Sequence, residues 1–350
     1  MNREEANQQV VQSKSSKLLL ELPTGFGKTL LAINWLDSKQ TEADKVYKKK
    51  ILIVVPRLVL IQSWKEEFKK WKKESYLDHI TFVTYISFPK LIKDISKYKY
   101  FIFDECHHLS QRCRDAAEYI INNNYYKCLF LSATVNKEIK YYLRNAETIK
   151  VTAKKAIIDG ILPDPTVYLL PLELDNTLNT ETIIKNPKGK YVVQIPYKDR
   201  FRYKRKDTRV VIPCTQRQYY NDLSSLIDWY KNKNGNPVMK NLWLHKAGER
   251  LKWLSEKKVM TVRNILLHCD KERTLTFCSG ILQTEKLGSY CINSKNKKSK
   301  DFLNDFNNKK INHITACDML NEGINLEECR IGIYAFLNSS NRLIIQKLGK

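Results

Sequence analysis

Long apolar runs are absent from this sequence. No stretch approaches the ~18 consecutive apolar residues of a membrane-spanning helix, and the N-terminus, residues 1–5, has no apolar signal-peptide core. These absences argue against an integral membrane protein and against secretion. The sequence therefore predicts a soluble chain of the cytoplasm with no membrane partner.

A Cys-x-x-Cys pair is also absent, and the number of cysteines, nine, is odd. Dispersed thiols in a chain of 350 residues are typical of a reducing compartment and not of a disulfide framework. Cys106, His107, His108 and Cys113 lie close enough in sequence to leave a zinc site open as an alternative.

Acidic residues are scarce. The chain has 61 Lys and Arg against 37 Asp and Glu, which gives a formal net charge of +24 and a pI near 9.5. Such an excess favours a polyanionic partner, above all nucleic acid. The alternative is a lysine-rich composition whose charges are only solvated, as on residues 69–73.

What the sequence does contain is a phosphate-binding pattern near its start. An apolar run, residues 18–22, leads into a loop that ends in Gly-Lys-Thr at residues 27–29, and a helical pattern follows. A strand, a glycine-containing loop and a helix form the context of the P-loop, in which backbone N–H groups and a helix N-terminus surround a phosphate. The strict pattern has glycine where this chain has Leu22.

Within this loop, Lys28 is expected to reach the β- and γ-phosphates, and the Thr29 hydroxyl is expected to hold Mg²⁺. The predicted nucleotide-binding residues are Thr24, Gly25, Gly27, Lys28 and Thr29.

Apolar runs alternate with helical patterns along the chain. Candidate strands span residues 17–22, 51–55, 80–84, 99–103 and 127–131. Helical patterns between them span residues 28–38, 58–74, 88–96, 113–123 and 137–144. Strands that are apolar on both faces and separated by helices are typical of a buried parallel sheet. The sequence therefore predicts an α/β domain over residues 1–152.

A proline-marked linker, residues 153–165, leads to a second domain over residues 166–350. This domain contains an insertion at about residues 181–213 and a helical segment at about residues 215–267. A second α/β pattern closes the chain, with strands at 273–278, 311–315 and 330–335 and helices at 281–291 and 300–307.

Two adjacent carboxylates, Asp104 and Glu105, follow the apolar strand 99–103. Parallel strands bring their C-terminal ends to one edge of a sheet, so we expect Asp104 to hold Mg²⁺ beside Thr29. Glu105 would orient or deprotonate the attacking water. His107 would lie near the γ-phosphate and pass on its state by hydrogen bonding; the alternative is a buried structural histidine.

Ser132 and Thr134 likewise follow an apolar strand, 127–131. Their hydroxyl groups are able to hydrogen-bond the Asp-Glu-Cys-His segment, and we predict that His107, Ser132 and Thr134 couple the nucleotide to the rest of the protein.

Together these segments resemble motifs I, II and III of superfamily 2 helicases of the DEAD/DEAH-related kind. The similar branch includes type III restriction subunits, excision-repair helicases and phage DNA helicases, which leaves open that a phage encodes this chain. The resemblance covers about residues 15–350. It implies an α/β fold of two RecA-like P-loop domains with parallel sheets, ATP as cofactor with Mg²⁺, and nucleic acid, in this branch DNA, as partner.

Looser motifs continue the resemblance. Residues 51–64 resemble motif Ia, residues 274–279 resemble motif IV, and residues 314–326 resemble motif V, although the family more often has Asp at Asn325. The resemblance implies that Arg57, Thr84 and Ser279 contact nucleic acid and that Gly323 and Asn325 contact the nucleotide.

The chain departs from the family at both ends. Asn2 falls about where the family has the glutamine that reads adenine, and motif VI, with three arginines in the family, reads Gln-Lys-Leu-Gly-Lys at residues 346–350. Gln346 and Lys350 are therefore the predicted catalytic residues there, but lysine is a point charge where arginine contacts several phosphate oxygens. Two expectations follow. Either the second domain is incomplete at its C-terminus and a missing C-terminal segment or a further subunit completes it, or ATP hydrolysis is weak.

The insertion is rich in basic side chains with aromatic residues among them, which suits a phosphate backbone and stacked bases. Residues 191–197 and 209–212 are able to form a hairpin there. The alternative is a solvated loop. The predicted nucleic-acid contacts are Arg200, Arg202, Lys204, Arg205 and Lys206.

The sequence thus predicts an ATP-dependent DNA helicase or translocase with little sequence specificity, because contacts to the backbone carry no sequence information. Two alternatives stay open: an ATP-gated clamp that binds nucleic acid and hydrolyses ATP weakly, and an RNA helicase.

Overall fold

The structure is a computed structural model that describes residues 1–41, 44, 50–185, 210–233, 237–288, 290–293, 295–317, 326 and 328–336. Two compact units meet in the chain between Thr166 and Val167. The boundaries 152 and 165 and the roles given to each domain stay predictions.

The first unit is built on a parallel sheet of six strands in the order β3-β2-β4-β5-β1-β6. The strands are β1 (Lys17–Glu21), β2 (Lys50–Val55), β3 (Ile80–Thr84), β4 (Tyr98–Phe103), β5 (Lys127–Ser132) and β6 (Glu147–Lys150). All five strands predicted for this part of the chain are present. The central strands have buried side chains on both faces, as a sheet covered by helices on both sides requires.

Helices cover both faces of this sheet. They are α1 (Arg3–Gln12), α2 (Lys28–Lys39), α3 (Val59–Lys70), α4 (Gln111–Asn122), α5 (Lys137–Tyr142) and α6 (Ala153–Ile158). The core on one face includes residues of α1, α2, α3 and α6, and the core on the other includes residues of α4 and α5. Segments of 3₁₀ helix span Glu74–His79, Phe88–Lys97 and Cys106–His108.

Three elements of this unit have no counterpart in the sequence analysis. Helix α1 buries only Ala6 and Val10, so its apolar face is too narrow to produce a helical pattern. Strand β6 lies at the sheet edge and buries only Ile149, so it has no apolar run. Helix α6 occupies part of the predicted linker, residues 153–165.

The second unit contains an antiparallel strand pair and a parallel sheet. Strands β7 (Glu181–Lys185) and β8 (Val210–Cys214) pair antiparallel, with Ile183 opposite Ile212. Strand β8 thus pairs with the earlier apolar segment, β7; the hairpin expected between residues 191–197 and 209–212 falls largely outside the described residues and stays a prediction. Helices α7 (Gln216–Asn232), α8 (Pro237–Lys257) and α9 (Val259–His268) follow and account for the predicted helical segment.

The parallel sheet has the order β10-β11-β9-β12. Its elements are β9 (Thr274–Phe277), α10 (Ile281–Leu287), β10 (Cys291–Ile292), α11 (Ser299–Asn307), β11 (His313–Ala316) and β12 (Ile331–Tyr334). The predicted second α/β pattern is thus present, with the helix expected at 281–291 ending earlier, before a short strand.

The nine cysteines all lie in the described residues, and none forms a disulfide. Among the described residues no helix is long and apolar enough to cross a membrane. No group of three or more His, Cys, Asp or Glu side chains in that part of the chain could hold a metal ion, so the zinc alternative at Cys106–Cys113 is wrong. The Cys113 thiol instead donates a hydrogen bond to the main-chain oxygen of Tyr85.

Candidate functional site

The predicted motifs of the first unit meet at one edge of its sheet. Each follows the C-terminal end of a parallel strand, and main-chain hydrogen bonds between neighbouring strands continue into the loops. The Leu22 N–H donates to the Ser132 oxygen over 3.0 Å, and the Asp104 N–H donates to the Val54 oxygen over 2.9 Å. The loops after β1, β2, β4 and β5 are thereby fixed to one another.

The loop before α2 is shaped by two glycines. Gly25 and Gly27 have φ angles of 81° and 99°, a left-handed conformation that strains any residue with a Cβ. Gly27 is the N-cap of α2, with no side chain capping the first turn, so a bound anion is able to accept from the N-terminal N–H groups. Thr24 and Thr29 are half-buried beside them.

Lys28 lies inside this loop. Its Nζ donates to the main-chain oxygens of Leu22 and Pro23, at 3.2 and 3.4 Å. These bonds hold the ammonium group where the loop curves, so a phosphate there would meet both the lysine charge and the backbone donors.

Helix α1, which was not predicted from the sequence, contacts the same loop. Arg3 Nη2 donates to the Gly25 oxygen over 2.9 Å. Asn2, matched above to the adenine-reading glutamine, instead caps α1 through a reciprocal pair of bonds with Glu5. An Asn followed three residues later by Glu is a capping signal that could have revealed this helix.

Asp104 is held at three points, the first of which is the main-chain bond to the Val54 oxygen described above. Its carboxylate Oδ2 accepts a 2.9 Å hydrogen bond from Trp64 Nε1, and its main-chain oxygen accepts a 2.8 Å bond from the Tyr85 hydroxyl. Burial, with the neighbouring Glu105 carboxylate, raises the pKa of Asp104 to about 6, while the Trp64 hydrogen bond and the Lys28 charge oppose that rise.

Close polar contacts connect Glu105 to the loop after β5. It has a φ of 48°, unusual for a non-glycine residue, and its Oε2 lies 3.3 Å from His107 Nδ1. The same nitrogen lies 3.0 Å from Ser132 Oγ, whose hydroxyl donates to the Thr134 oxygen over 2.7 Å. Since the serine proton is engaged by Thr134, we assign the Nδ1–H of His107 as the donor to Ser132 Oγ; its approach to Glu105 is a close polar contact. The hydrogen bond expected between these two segments is present.

The predicted nucleic-acid contacts among the described residues occupy surface loops. Arg57 is exposed between β2 and α3, and Thr84 ends β3 with its hydroxyl 3.4 Å from Ser87 Oγ. In the second unit, the Ser279 N–H and hydroxyl both donate to Gln283 Oε1, which fixes the loop before α10. Their contact with nucleic acid stays a prediction.

Other predicted site residues lie outside the described part of the chain. They are Gly323, Asn325, Gln346, Lys350, Arg200, Arg202, Lys204, Arg205 and Lys206.

The oxygen donors at this edge fit magnesium better than zinc or calcium. Mg²⁺ is usually bound by one or two carboxylates together with waters and phosphate oxygens, and it does not need a cage of protein ligands. The Thr29 hydroxyl and the Asp104 carboxylate are hard oxygen donors of this kind, and the Asp104 carboxylate accepts hydrogen bonds from Trp64 Nε1 and from the Glu105 backbone.

The chain is similar to known proteins in sequence. Residues 2–137 match the family model described as "Type III restriction enzyme, res subunit". A DNA 3'-5' translocase XPB2 from Sulfurisphaera tokodaii is 24% identical over 358 residues, which cover 96% of this chain and 75% of the relative.

Two solved structures share the fold. The match to the Pyrococcus furiosus Hef helicase domain has a TM-score of 0.50 at 13% identity and covers 99% of this chain and 91% of the Hef chain. The match to S. cerevisiae Dbp5 bound to RNA and ADP BeF3 has a TM-score of 0.53 at 11% identity and covers 99% of this chain and 78% of the Dbp5 chain. The resemblance to superfamily 2 helicases and the predicted α/β fold of two RecA-like domains are confirmed.

The first prediction concerns Lys28→Ala. The ammonium group faces the phosphate loop and not the core, so the variant should keep its fold and lose ATP hydrolysis by about 100-fold or more. Lys154→Ala, which removes an exposed lysine from α6, is the matched control and should hydrolyse ATP at the wild-type rate. Steady-state ATPase assays with circular dichroism check both, and near-wild-type turnover of Lys28→Ala would show that the loop does not bind ATP.

The second prediction concerns Glu105→Gln, which keeps the side-chain shape and removes the base. Hydrolysis should fall by about 10²–10⁴-fold while ATP affinity stays the same. Fluorescent-nucleotide binding and single-turnover hydrolysis measure the two effects separately. Glu118→Gln, on the exposed face of α4, is the control; an equal loss of ATP binding in Glu105→Gln would instead place this carboxylate among the metal ligands.

Proposed function

We propose that this protein is a superfamily 2 helicase that hydrolyses ATP in order to move along or unwind DNA. The observation that carries the proposal is the position of Lys28, Asp104 and Glu105 in loops at the same edge of one parallel sheet. A phosphate-binding lysine beside two carboxylates is the arrangement that phosphoryl transfer to water requires.

Each residue of this site has a separate role. Lys28 and the backbone of residues 24–27 bind the phosphates, Glu105 accepts the proton of the attacking water, and the Glu105–His107–Ser132 path reports the state of that carboxylate to the loop after β5. Mg²⁺ held by Thr29 and Asp104 would supply charge neutralisation at the β- and γ-phosphates.

The second domain completes the site in this proposal. Gly323, Asn325, Gln346 and Lys350 contact the nucleotide from residues 166–350, in keeping with motifs V and VI. Lysines stand at 347 and 350 where the family has arginines, and a lysine is a point charge that contacts fewer phosphate oxygens, so turnover is slow in this proposal.

DNA is the proposed partner because the net charge of +24 favours a polyanion and the matched relative is a DNA 3'-5' translocase. Arg57, Thr84 and Ser279 contact its backbone, so the protein has little sequence specificity. An enzyme with these substrates works inside the cell, where ATP and DNA are found.

The third prediction tests the activity itself. ATPase rates are measured with single-stranded, duplex and branched DNA and with RNA, and we expect the DNA substrates to raise the rate. A triplex-displacement assay should detect ATP-dependent movement. The Lys28→Ala variant is the negative control in each assay. Stimulation by RNA and not by DNA would favour an RNA helicase in place of a DNA translocase.

A clamp is the second candidate, and the lysines at positions 347 and 350 favour it. A clamp would bind DNA tightly with ATP and release it slowly, with no displacement of a third strand. The same triplex assay, combined with DNA-dissociation rates in ATP and ADP, separates it from a translocase.

The fourth prediction concerns the basic insertion. Each side chain that contacts phosphate contributes about 0.7–0.9 to the slope of log K against log salt concentration. Replacing Arg200, Arg202, Lys204, Arg205 and Lys206 with Ser should flatten that slope by several units and leave ATP binding and sequence preference unchanged. Salt titrations of DNA binding measure the slope.

An exposed set in the described chain, Lys65, Lys69, Lys137, Lys154 and Lys240, provides the matched five-fold control. It removes the same number of positive charges and should change the slope less. Equal slopes for the wild-type protein and the insertion variant would show that the insertion is a solvated loop.

A further inference from the structure

Trp64 is buried on the face of α3 that packs against the first sheet. Leu60, Trp64 and Phe68 repeat every four residues along this face and are all buried, with Trp64 only 2% exposed. Its ring lies 6.1 Å from that of Phe68. The sequence pattern alone assigns this tryptophan to the core.

The indole N–H of Trp64 is nevertheless directed at the functional site. It donates to Asp104 Oδ2 over 2.9 Å, across forty positions of sequence. The main chain of Asp104 is fixed independently, through the Val54 oxygen and the Tyr85 hydroxyl. With the backbone fixed at two points and one carboxylate oxygen at a third, rotation of the carboxylate is restricted.

We propose that Trp64 is a positioning residue for the magnesium-binding carboxylate: its N–H holds Asp104 Oδ2 and so sets the orientation in which the carboxylate would meet the metal. This inference rests on the proposed function, in which Asp104 and Thr29 hold Mg²⁺. It adds a residue of α3 to a site otherwise formed by the loops after β1, β4 and β5.

The chemistry of indole suits this task. The Nε1–H is a hydrogen-bond donor only, so it cannot bind the metal itself or exchange donor and acceptor roles, unlike a histidine or a serine at the same place. Because the indole is large and packed in the core, its N–H has a fixed direction. Removing it would leave Asp104 Oδ2 without this donor, so that the backbone bond from Glu105 would restrain the carboxylate without help from α3.

The fifth prediction follows from this geometry. Trp64→Phe keeps an aromatic ring and removes the donor. Binding of a fluorescent ATP analogue in EDTA should match the wild type within about twofold, while the Mg²⁺ concentration that half-saturates tight nucleotide binding should rise about tenfold or more, as losses of outer ligand-orienting groups do. Hydrolysis should recover towards the wild-type rate at high Mg²⁺, which a merely structural defect would not allow.

Trp71→Phe is the matched control. Trp71 follows the last turn of α3 and donates its N–H to a carboxylate as well, Glu67 Oε2 at 2.9 Å, but at the protein surface. This variant should keep the wild-type Mg²⁺ dependence. The same Mg²⁺ dependence in Trp64→Phe and wild type, or an equal rise in both variants, would overturn the inference.

A second variant tests the inference if Trp64→Phe does not fold. The tryptophan analogue with sulfur in place of the indole N–H, incorporated at position 64, preserves the ring shape and removes only the donor. It should raise the half-saturating Mg²⁺ concentration as Trp64→Phe does, and a wild-type value would overturn the inference. A wild-type protein that binds nucleotide without any response to Mg²⁺ would overturn the proposed function and the inference with it.

Discussion

The placement of Asp104 is the constraint on which the rest of the first unit depends. A carboxylate at the end of a buried strand is costly to desolvate, and burial accordingly raises its pKa. The protein compensates with a donor from α3, Trp64, and with the charge of Lys28 from the P-loop. Three segments distant in sequence therefore meet at one carboxylate, and the parallel sheet is what brings them together.

A second consequence of this placement is the connection between the carboxylate pair and the loop after β5. His107 lies between Glu105 and Ser132, with its Nδ1 at 3.3 Å from Glu105 Oε2 and at 3.0 Å from Ser132 Oγ. The histidine is buried there, and its proposed role in coupling rests on these two contacts.

The strands and the motif loops of the first unit could be predicted from sequence because their signals are local. An apolar run such as residues 99–103 indicates a buried strand wherever it pairs, and Lys28 after two glycines indicates a phosphate loop. Helix α1 and strand β6 could not be predicted, since α1 buries only Ala6 and Val10 and β6 only Ile149. The pairing of β8 with β7 could not be predicted either, because strand pairing depends on a segment that is distant in sequence.

The sequence by itself therefore determined the fold class, the phosphate loop and the carboxylate pair, since each depends on residue types a few positions apart. Tertiary structure decided which side chains support them. The Arg3 contact with Gly25 and the Trp64 contact with Asp104 join residues 22 and 40 positions apart. Nothing in the local pattern distinguishes Trp64 from any other core tryptophan, because the direction of its N–H is set by the packing of α3 on the sheet.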